Sequence, residues 1–167
     1  MNKKKLERKF IGTWKLNKWV VLKPDGKETY PFLGKVNGFL IYHPEGWMSA
    51  TLMQKDRSHV SDNRSKISKI AYELKNNTVL DEDTHEVVKN FFLAANGYVS
   101  YAGRYEADDT NVYHNVEISL LPQWVNTTLT RKHKFSSENN MLELSAEFDG
   151  FKDILVWSKC RKHNDIE

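Results

Sequence analysis

The stretch Ser100–Arg131, SYAGRYEADDTNVYHNVEISLLPQWVNTTLTR, decides the fold class. Two segments of alternating character flank a polar turn at residues 107–110, and a Leu-Pro-Gln-Trp corner leads to a third strand. One face of this predicted hairpin carries the side chains of Tyr101, Tyr105 and His114. The other face carries the side chains of Arg104, Asn115 and Glu117. Because both faces bear hydrogen-bonding groups, we expect the sheet to surround something.

Hairpins of the same kind recur along the chain. The turns Lys23–Lys27 and His43–Trp47 share a Pro-x-Gly order, in which proline presets the first turn position and glycine takes the left-handed one. If the ends of the second turn pair, Tyr42 faces Met48, and Ser49 lies on the opposite face. Further strands are predicted over residues 10–22, 98–106, 111–120, 127–135, 141–148 and 154–161.

One amphipathic helix is predicted near residues 83–97. Asp83 or Thr84 can cap its N-terminus, and Gly97 supplies a left-handed stop at its C-terminus. Its apolar stripe consists of Val87, Val88, Phe91, Phe92 and Ala95. Residues 55–66 indicate a polar loop, and residues 67–80 suit a short helix that Asn76-Asn77 interrupts.

The number and spacing of the strands predict a mainly β protein. Eight to ten strands in regular hairpins, without βαβ alternation, favour a single antiparallel up-and-down barrel. A sandwich is less suitable because so many hairpins would leave exposed edges. The 167 residues fit one domain, 1–167, with a core at about 6–161 and a basic N-terminal tail at 1–9.

The composition argues against several classes of function. A net charge of +3, from 25 basic and 22 acidic residues, is too balanced for a nucleic-acid-binding surface. No apolar run approaches the ~18 residues of a membrane span, and no signal-peptide core follows the basic N-terminus, so a cytoplasmic protein is expected. The single cysteine, Cys160, allows no internal disulfide. No zinc spacing, phosphate loop, nucleophile elbow or dinucleotide motif occurs, so no metal or cofactor is expected.

Landmarks along the chain form a recognisable pattern. They are Gly12-Thr13-Trp14, the segment Gly38–Ala50, Tyr101–Glu106, His114–Leu120, Pro122-Gln123-Trp124 and Leu155-Val156-Trp157. Over about residues 6–161 this pattern resembles the bacterial and fungal lipocalin-like domain family, whose barrels open with a Gly-x-Trp strand. The resemblance implies a small barrel whose interior hosts an apolar or mixed small molecule. Val125-Asn126 departs from the pattern, because family members often carry glycine there.

His114 is the leading candidate for chemistry. Among Tyr101, Tyr105 and Val116 its ring would be partly desolvated, which lowers its pKa and favours the neutral form. A neutral imidazole can accept or deliver a proton near pH 7. The expected partner across the hairpin is Gly103, which would leave space above the ring. A structural hydrogen bond, a ligand contact and acid–base catalysis all remain open for His114.

Other candidates depend on which face points inward. The face bearing Val112, Val116 and Ile118 is more apolar, so it is expected to line the cavity. An inward Arg131 could bind a carboxylate bidentately. The full set of ligand-binding candidates is Tyr42, Met48, Tyr101, Tyr105, His114, Glu117, Trp124 and Arg131, although the face of Glu117 is assigned to the outside. By the resemblance, Trp14 closes the barrel floor beneath Lys159 or Arg161.

Three functions remain open at this point. The leading hypothesis is a barrel that binds a small, largely apolar or amphipathic molecule. The second is an isomerase, cyclase or dehydratase that uses His114 as acid–base, since some lipocalin-like barrels of biosynthetic pathways have such activities. The third is a structural or interaction module whose barrel is filled by side chains. Monomer and dimer are both compatible with the sequence.

Overall fold

An antiparallel β-sheet makes up most of the structure. The computed structural model describes residues 3–57, 60, 64–76 and 81–160. The strands are β1 (Gly12–Leu22), β2 (Glu28–Thr29), β3 (Val36–Tyr42), β4 (Trp47–Gln54), β5 (Tyr98–Ala107), β6 (Asn111–Ser119), β7 (Thr128–Phe135), β8 (Met141–Phe148) and β9 (Phe151–Lys159). The helices are α1 (Lys3–Phe10), α2 (Arg64–Asn76) and α3 (Glu82–Asn96), with short 3-10 segments at Pro31–Gly34 and Pro122–Trp124.

Strand β1 closes the sheet into a barrel. The strands follow the order β2-β1-β3-β4-β5-β6-β7-β8-β9, and β1 also pairs with β9. The β1–β9 ladder runs from Trp14 opposite Lys159 to Leu22 opposite Lys152. Eight strands of the described chain therefore form a closed antiparallel barrel, beside which β2 is a two-residue extra strand. The predicted mainly β barrel is confirmed.

Strand β3 illustrates how the sequence fills the barrel. Its side chains alternate between buried and exposed positions along the whole strand. Leu40 and Tyr42 are almost fully buried, whereas Phe39 and Ile41 are exposed on the other face. This alternation follows from the pleat, which directs successive side chains to opposite faces.

The two Pro-x-Gly turns fold as predicted. Gly26 and Gly46 have φ angles of 80° and 85°, which glycine adopts without a steric penalty. At the second turn the His43 N–H donates to the Trp47 carbonyl at 2.8 Å. The turn thereby fixes the β3–β4 register, in which Tyr42 lies opposite Met48.

The β5–β6 hairpin has a register different from the expected one. His114 lies opposite Tyr105, and Gly103 lies opposite Val116. The expected pairing of His114 with Gly103 is therefore wrong by two residues. In addition, a β-bulge at Ala102 and Gly103 shifts the register within the hairpin.

The bulge explains two further differences from expectation. A Cβ atom built on Gly103 would lie 2.0 Å from the carbonyl oxygen of Asn115, so glycine permits a close backbone approach and opens no space above a ring. Val112 and Val116 are buried as predicted, but Ile118 is 67% exposed. The extra residue of the bulge reverses the alternation beyond Val116.

Residues 3–10 form helix α1 where a basic tail was expected. Leu6 and Phe10 lie four residues apart on one helix face, and both are buried in the core of the barrel. The Phe10 ring lies edge-on to Tyr42 and to Phe135, with centroid distances of 5.2 and 4.9 Å. The Trp14 indole N–H donates to the Phe10 carbonyl at 2.7 Å, which ties the helix to β1. Strand β1 accordingly begins two residues later than predicted.

Residues 56–98 form a compact unit distinct from the remainder of the chain. Helix α2 covers most of the segment that was ambiguous in the sequence. Residues 58, 59, 61–63 and 77–80 belong to the predicted loop and ambiguous segment and lie outside the described residues. No described helix is long and apolar enough to cross a bilayer.

Helix α3 confirms the predicted helix, but its ends differ. Its cap is Asp81, whose carboxylate accepts the Thr84 N–H at 2.7 Å, and neither Asp83 nor Thr84 takes that role. Gly97 follows the last turn with φ of −80°, so the predicted left-handed stop is wrong. Within the predicted apolar stripe, Phe91 and Phe92 are exposed, whereas Val87, Val88 and Ala95 are partly buried.

Candidate functional site

His114 is held between two tyrosine hydroxyls inside the barrel. Only 1% of the residue is exposed. The hydroxyl of Tyr42, on β3, lies 2.7 Å from Nε2, and the hydroxyl of Tyr101, on β5, lies 3.1 Å from Nδ1. Strand alternation predicted that Tyr101 and His114 share a face. The contact with Tyr42 joins β3 to β6, which are not neighbours in the sheet, and no sequence pattern indicated it.

Burial keeps this group of side chains uncharged. Desolvation lowers the pKa of His114 to about 3, and the positive charge of Arg131 acts in the same direction. Desolvation likewise raises the pKa of Tyr42 and of Tyr101 above the ordinary tyrosine value. At neutral pH one imidazole nitrogen therefore donates a hydrogen bond and the other accepts one.

A cavity of about 100 Å³, the inner cavity, lies inside the barrel. Its apolar wall includes Leu40, Leu52, Leu144 and Leu155. Its polar and aromatic wall includes Tyr101, Trp124, Arg131, Asp153 and Trp157. His114 does not border this cavity and reaches it only through the hydroxyl of Tyr101.

Trp157 lines the inner cavity and carries an unpaired donor. Strand β9 places the side chain inside the barrel, where 2% of the residue is exposed. Its indole N–H has no hydrogen-bond partner among the residues that the structure describes. A buried donor without a partner costs about 1–3 kcal/mol. Sequence reasoning used Trp157 only as a family landmark, although its alternation with Asp153 and Leu155 could have assigned all three to the interior.

Arg131 brings a positive charge to the same cavity. Strand β7 alternates so that Arg131 is half-buried between exposed neighbours. Its guanidinium donates to the Thr130 carbonyl at 3.1 Å. Within the described ranges no carboxylate lies inside the 4.0 Å distance of an ion pair with it. The inward position that sequence reasoning considered for Arg131 is therefore the observed one.

Asp153 is the acidic group of the inner cavity. It accepts a hydrogen bond from the indole N–H of Trp19 at 3.4 Å. Burial raises the pKa of Asp153, while the Trp19 hydrogen bond and the charge of Arg131 act in the opposite direction. Sequence reasoning missed this residue, although a carboxylate within an otherwise apolar inward row was a usable signal.

A larger cavity adjoins the inner one at the surface. This mouth cavity has a volume of about 660 Å³ and shares Trp124, Arg131 and Asp153 with the inner cavity. Exposed residues such as Lys132 and Phe148 form its rim. The mouth cavity is therefore the larger of two neighbouring cavities.

The remaining predicted site residues lie elsewhere. Met48 and Glu117 border an outer cavity of about 470 Å³, beside the exposed Trp47 and Ile118. Tyr105 borders neither the inner nor the mouth cavity. Its hydroxyl donates to a backbone carbonyl at 3.3 Å, and burial raises the pKa of Tyr105 to about 12.

Trp14 lies at the predicted floor of the barrel, beneath a basic side chain. Trp14 is fully buried, and the Lys159 ammonium lies 5.0 Å from its ring centroid, as the family pattern implied. Arg161, the alternative cover, lies outside the described residues. In the part of the chain that is described, no three His, Cys, Asp or Glu side chains are grouped closely enough to hold a metal ion.

Several solved structures are similar to this chain at low identity. A redesigned β-barrel is 8% identical over 93% of this chain and 95% of its own, with a TM-score of 0.40. A de novo designed fluorescence-activating β-barrel is 13% identical over 96% and 100%, with a TM-score of 0.41. A point mutant of the fluorescent protein UnaG is 10% identical over 93% and 99%, with a TM-score of 0.40.

The family relationship rests on the sequence of nearly the whole barrel. No curated protein matches the chain. The model of the lipocalin-like domain family matches residues 11–160, which include every strand from β1 to β9. The landmarks quoted above all fall within this range. The chain therefore belongs to the lipocalin-like domain family.

Proposed function

We propose that this barrel binds a small, largely apolar molecule that carries a hydrogen-bond acceptor. The observation that supports it most is the indole N–H of Trp157, which is buried beside the inner cavity without a partner in the described structure. A ligand oxygen would satisfy this donor and recover the cost of leaving it unpaired. The leucine-rich wall would contact the apolar part of the ligand.

The dimensions of the two cavities suggest how such a ligand is arranged. Ligand pockets usually exceed about 300 Å³. The inner cavity of about 100 Å³ holds only a polar head group and its first carbons, whereas the mouth cavity of about 660 Å³ accommodates the remainder. A head-inward orientation brings the acceptor to Trp157 and Arg131.

A filled barrel with a structural role is the second candidate. The small volume of the inner cavity favours it. It gives no account of an unpaired buried indole N–H, nor of a half-buried Arg131 without an ion-pair partner in the described chain. The two candidates differ in whether apolar molecules stabilise the purified protein.

The enzymatic alternative receives less support from the geometry. A general acid or base must reach the reacting atom directly or through one water. His114 does not border the inner cavity, and both of its ring nitrogens are hydrogen-bonded to tyrosines. Any proton exchange with a ligand would have to pass through Tyr101.

Ligand screening with two matched tryptophan variants tests the binding proposal. The purified protein is screened against a library of lipophilic acids, amides, alcohols and hydrocarbons by thermal shift and tryptophan fluorescence. We expect acceptor-bearing members to raise the unfolding temperature. Trp157→Phe should weaken their binding about tenfold through loss of one buried hydrogen bond. Trp47→Phe, at an exposed tryptophan of the outer cavity, should leave binding unchanged.

Two results would contradict the proposal. The first is a library in which no compound shifts the unfolding temperature or quenches the fluorescence, which would favour the filled barrel. The second is a ligand whose affinity depends on Trp47 and is indifferent to Trp157, which would move binding to the outer cavity.

A further inference from the structure

We propose that the inner cavity recognises a carboxylate, so that the ligand is an amphipathic carboxylic acid with its head group inside the barrel. This inference rests on the proposed binding function and specifies the chemical class of its ligand. It follows from the direction of the hydrogen bonds around His114, from the unpaired charge of Arg131 and from the unpaired indole N–H of Trp157.

The first step concerns the proton of the Tyr42 hydroxyl. Tyr42 is 1% exposed, and within the described structure its hydroxyl has one partner, Nε2 of His114. If Nε2 carried the proton and donated, the Tyr42 O–H would be buried without an acceptor, at the cost of an unpaired donor. Either tautomer leaves one tyrosine O–H without an acceptor, and only Tyr101 borders a cavity in which a ligand or water can accept it. The favoured arrangement is therefore Tyr42 donating to Nε2, which places the imidazole proton on Nδ1.

The second step concerns the Tyr101 hydroxyl, which lies on the other side of the imidazole. With its proton on Nδ1, His114 donates to the oxygen of Tyr101. The Tyr101 O–H is then left without an acceptor in the described chain, and Tyr101 borders the inner cavity. Tyr42 and His114 thus act as positioning residues, which present Tyr101 to a ligand as a hydrogen-bond donor.

The third step concerns the residues with hydrogen-bond donors that line the inner cavity. Tyr101, Trp157 and Arg131 border the inner cavity together. An arginine taken out of water needs a counter-charge, and its planar guanidinium matches a carboxylate with two parallel hydrogen bonds. A carboxylate oxygen accepts several hydrogen bonds, so the same group can also satisfy the hydroxyl and the indole.

Asp153 is the one described acidic group at this cavity, and although the charge of Arg131 acts on it, the two side chains form no direct ion pair. Its carboxyl accepts from Trp19 and lies beyond ion-pair distance of Arg131. Burial raises the pKa of Asp153, and a ligand carboxylate beside it would raise the pKa further.

Calorimetric titration with octanoate and octanamide tests the assignment. Both probes have the same chain and a carbonyl oxygen, and they differ in charge. We expect octanoate to bind wild-type protein at least about tenfold more tightly than octanamide, because a charge-assisted hydrogen bond exceeds a neutral one. Arg131→Gln should abolish this preference while changing the octanamide affinity less than about threefold.

Arg104→Gln is the matched control for the loss of one positive charge. Arg104 is exposed on the same barrel, where its guanidinium lies 3.5 Å from the ring centroid of Trp47. This variant should keep the preference for octanoate. Circular dichroism of each variant establishes that the barrel has folded before it is titrated.

A double-mutant cycle tests the positioning role of Tyr42. Tyr101→Phe should weaken octanoate binding about fivefold through loss of one hydrogen bond. Tyr42→Phe should weaken it similarly although Tyr42 does not border the cavity, because Tyr101 is then free to donate to Nδ1. Tyr101→Phe should add little in the Tyr42→Phe background, whereas a merely structural role for Tyr42 would give additive losses.

The outcomes separate this inference from the proposed function. Equal binding of octanoate and octanamide, or a preference that survives Arg131→Gln, overturns the carboxylate assignment and leaves the binding function in place. Binding of neither probe to the folded wild-type protein overturns the carboxylate assignment together with binding of linear amphipaths. Losses that add in the double-mutant cycle overturn the positioning role of Tyr42.

Discussion

The surroundings of His114 favour its neutral form. Its two ring nitrogens contact hydroxyls of Tyr42 and Tyr101, and burial keeps both tyrosines protonated. A charged imidazole would donate from both nitrogens and would also face the positive charge of Arg131. The folded state therefore resists protonation of this residue.

This resistance predicts a loss of stability in mild acid. Between pH 3 and 6.5 the unfolded chain binds a proton at His114 that the folded protein, with its pKa of about 3, does not bind. The free energy of unfolding should consequently decrease by up to about 1.4 kcal/mol for each unit by which the pH falls below about 6.5. Urea unfolding at a series of pH values from about 7 to about 5 measures this slope.

Two histidine variants separate the contribution of His114 from that of other groups. His114→Gln should flatten the slope, because the variant has no proton to gain at this position. His85→Gln replaces an exposed histidine of α3 and should retain the wild-type slope. Identical slopes for wild type and His114→Gln would show that the residue is not buried in its neutral form.

The sequence predicted part of this site, for a definable reason. Alternation along neighbouring strands was enough to bring Tyr101 and His114 to one face. It could not bring in Tyr42, because a contact across the barrel depends on closure of the whole sheet. The sequence also could not predict that the Trp157 indole N–H has no partner in the described structure, because this depends on the position of every neighbouring group that could accept a hydrogen bond from it.

The β5–β6 bulge sets which side chains reach the cavity. It sends Glu117 and Ile118 outside on β6, whereas β5 keeps the regular alternation that buries Tyr101. The bulge requires glycine at position 103, because the backbone of β6 occupies the space of a side chain. Glycine at position 103 permits the bulge, and the bulge in turn affects which side chains line the cavity.

Gly103→Ala should destabilise the barrel. Its Cβ would lie 2.0 Å from the Asn115 carbonyl oxygen and 2.9 Å from the Glu117 nitrogen, and neither backbone atom can move without disturbing the ladder. We expect a loss of about 3 kcal/mol or more in the free energy of unfolding. Urea denaturation of the variant and the wild type measures the difference.

Gly26→Ala is the control for the general cost of replacing glycine. Gly26 has φ of 80°, and a Cβ there would meet no atom within 4 Å. Its substitution should cost only the penalty of a left-handed backbone, about 1–2 kcal/mol. A loss at Gly103 no larger than the loss at Gly26 would show that the close approach does not constrain the bulge.

For turns, strands and helices, the sequence predicted the structure correctly where neighbouring residues alone dictate the backbone. The turn at His43–Trp47 fixed its register because proline and glycine dictate the backbone locally. The bulge and helix α1 had no such local signal. The role of α1 depends on Leu6 and Phe10 packing into a barrel that the remainder of the chain builds.

The closed barrel encloses a small cavity lined by both apolar and polar side chains. Its inner cavity combines a leucine-rich wall with donors from Tyr101, Trp157 and Arg131. Family resemblance predicted such a container, and residue 131 was predicted as a possible carboxylate ligand. The volumes of the inner and mouth cavities could not be predicted, because they depend on how the inward side chains of eight strands pack together.

Indole N–H NMR spectra during titration with octanoate give the most direct test of binding inside the barrel. The chain has five tryptophans, and the Trp157 signal is identified by its loss in Trp157→Phe. Octanoate has no aromatic ring, so a change reports hydrogen bonding more simply than it would with an aromatic ligand. We predict that the Trp157 signal moves downfield on binding while the Trp47 signal stays in place. A shift of Trp47 with Trp157 unchanged would put the ligand in the outer cavity and contradict binding inside the barrel.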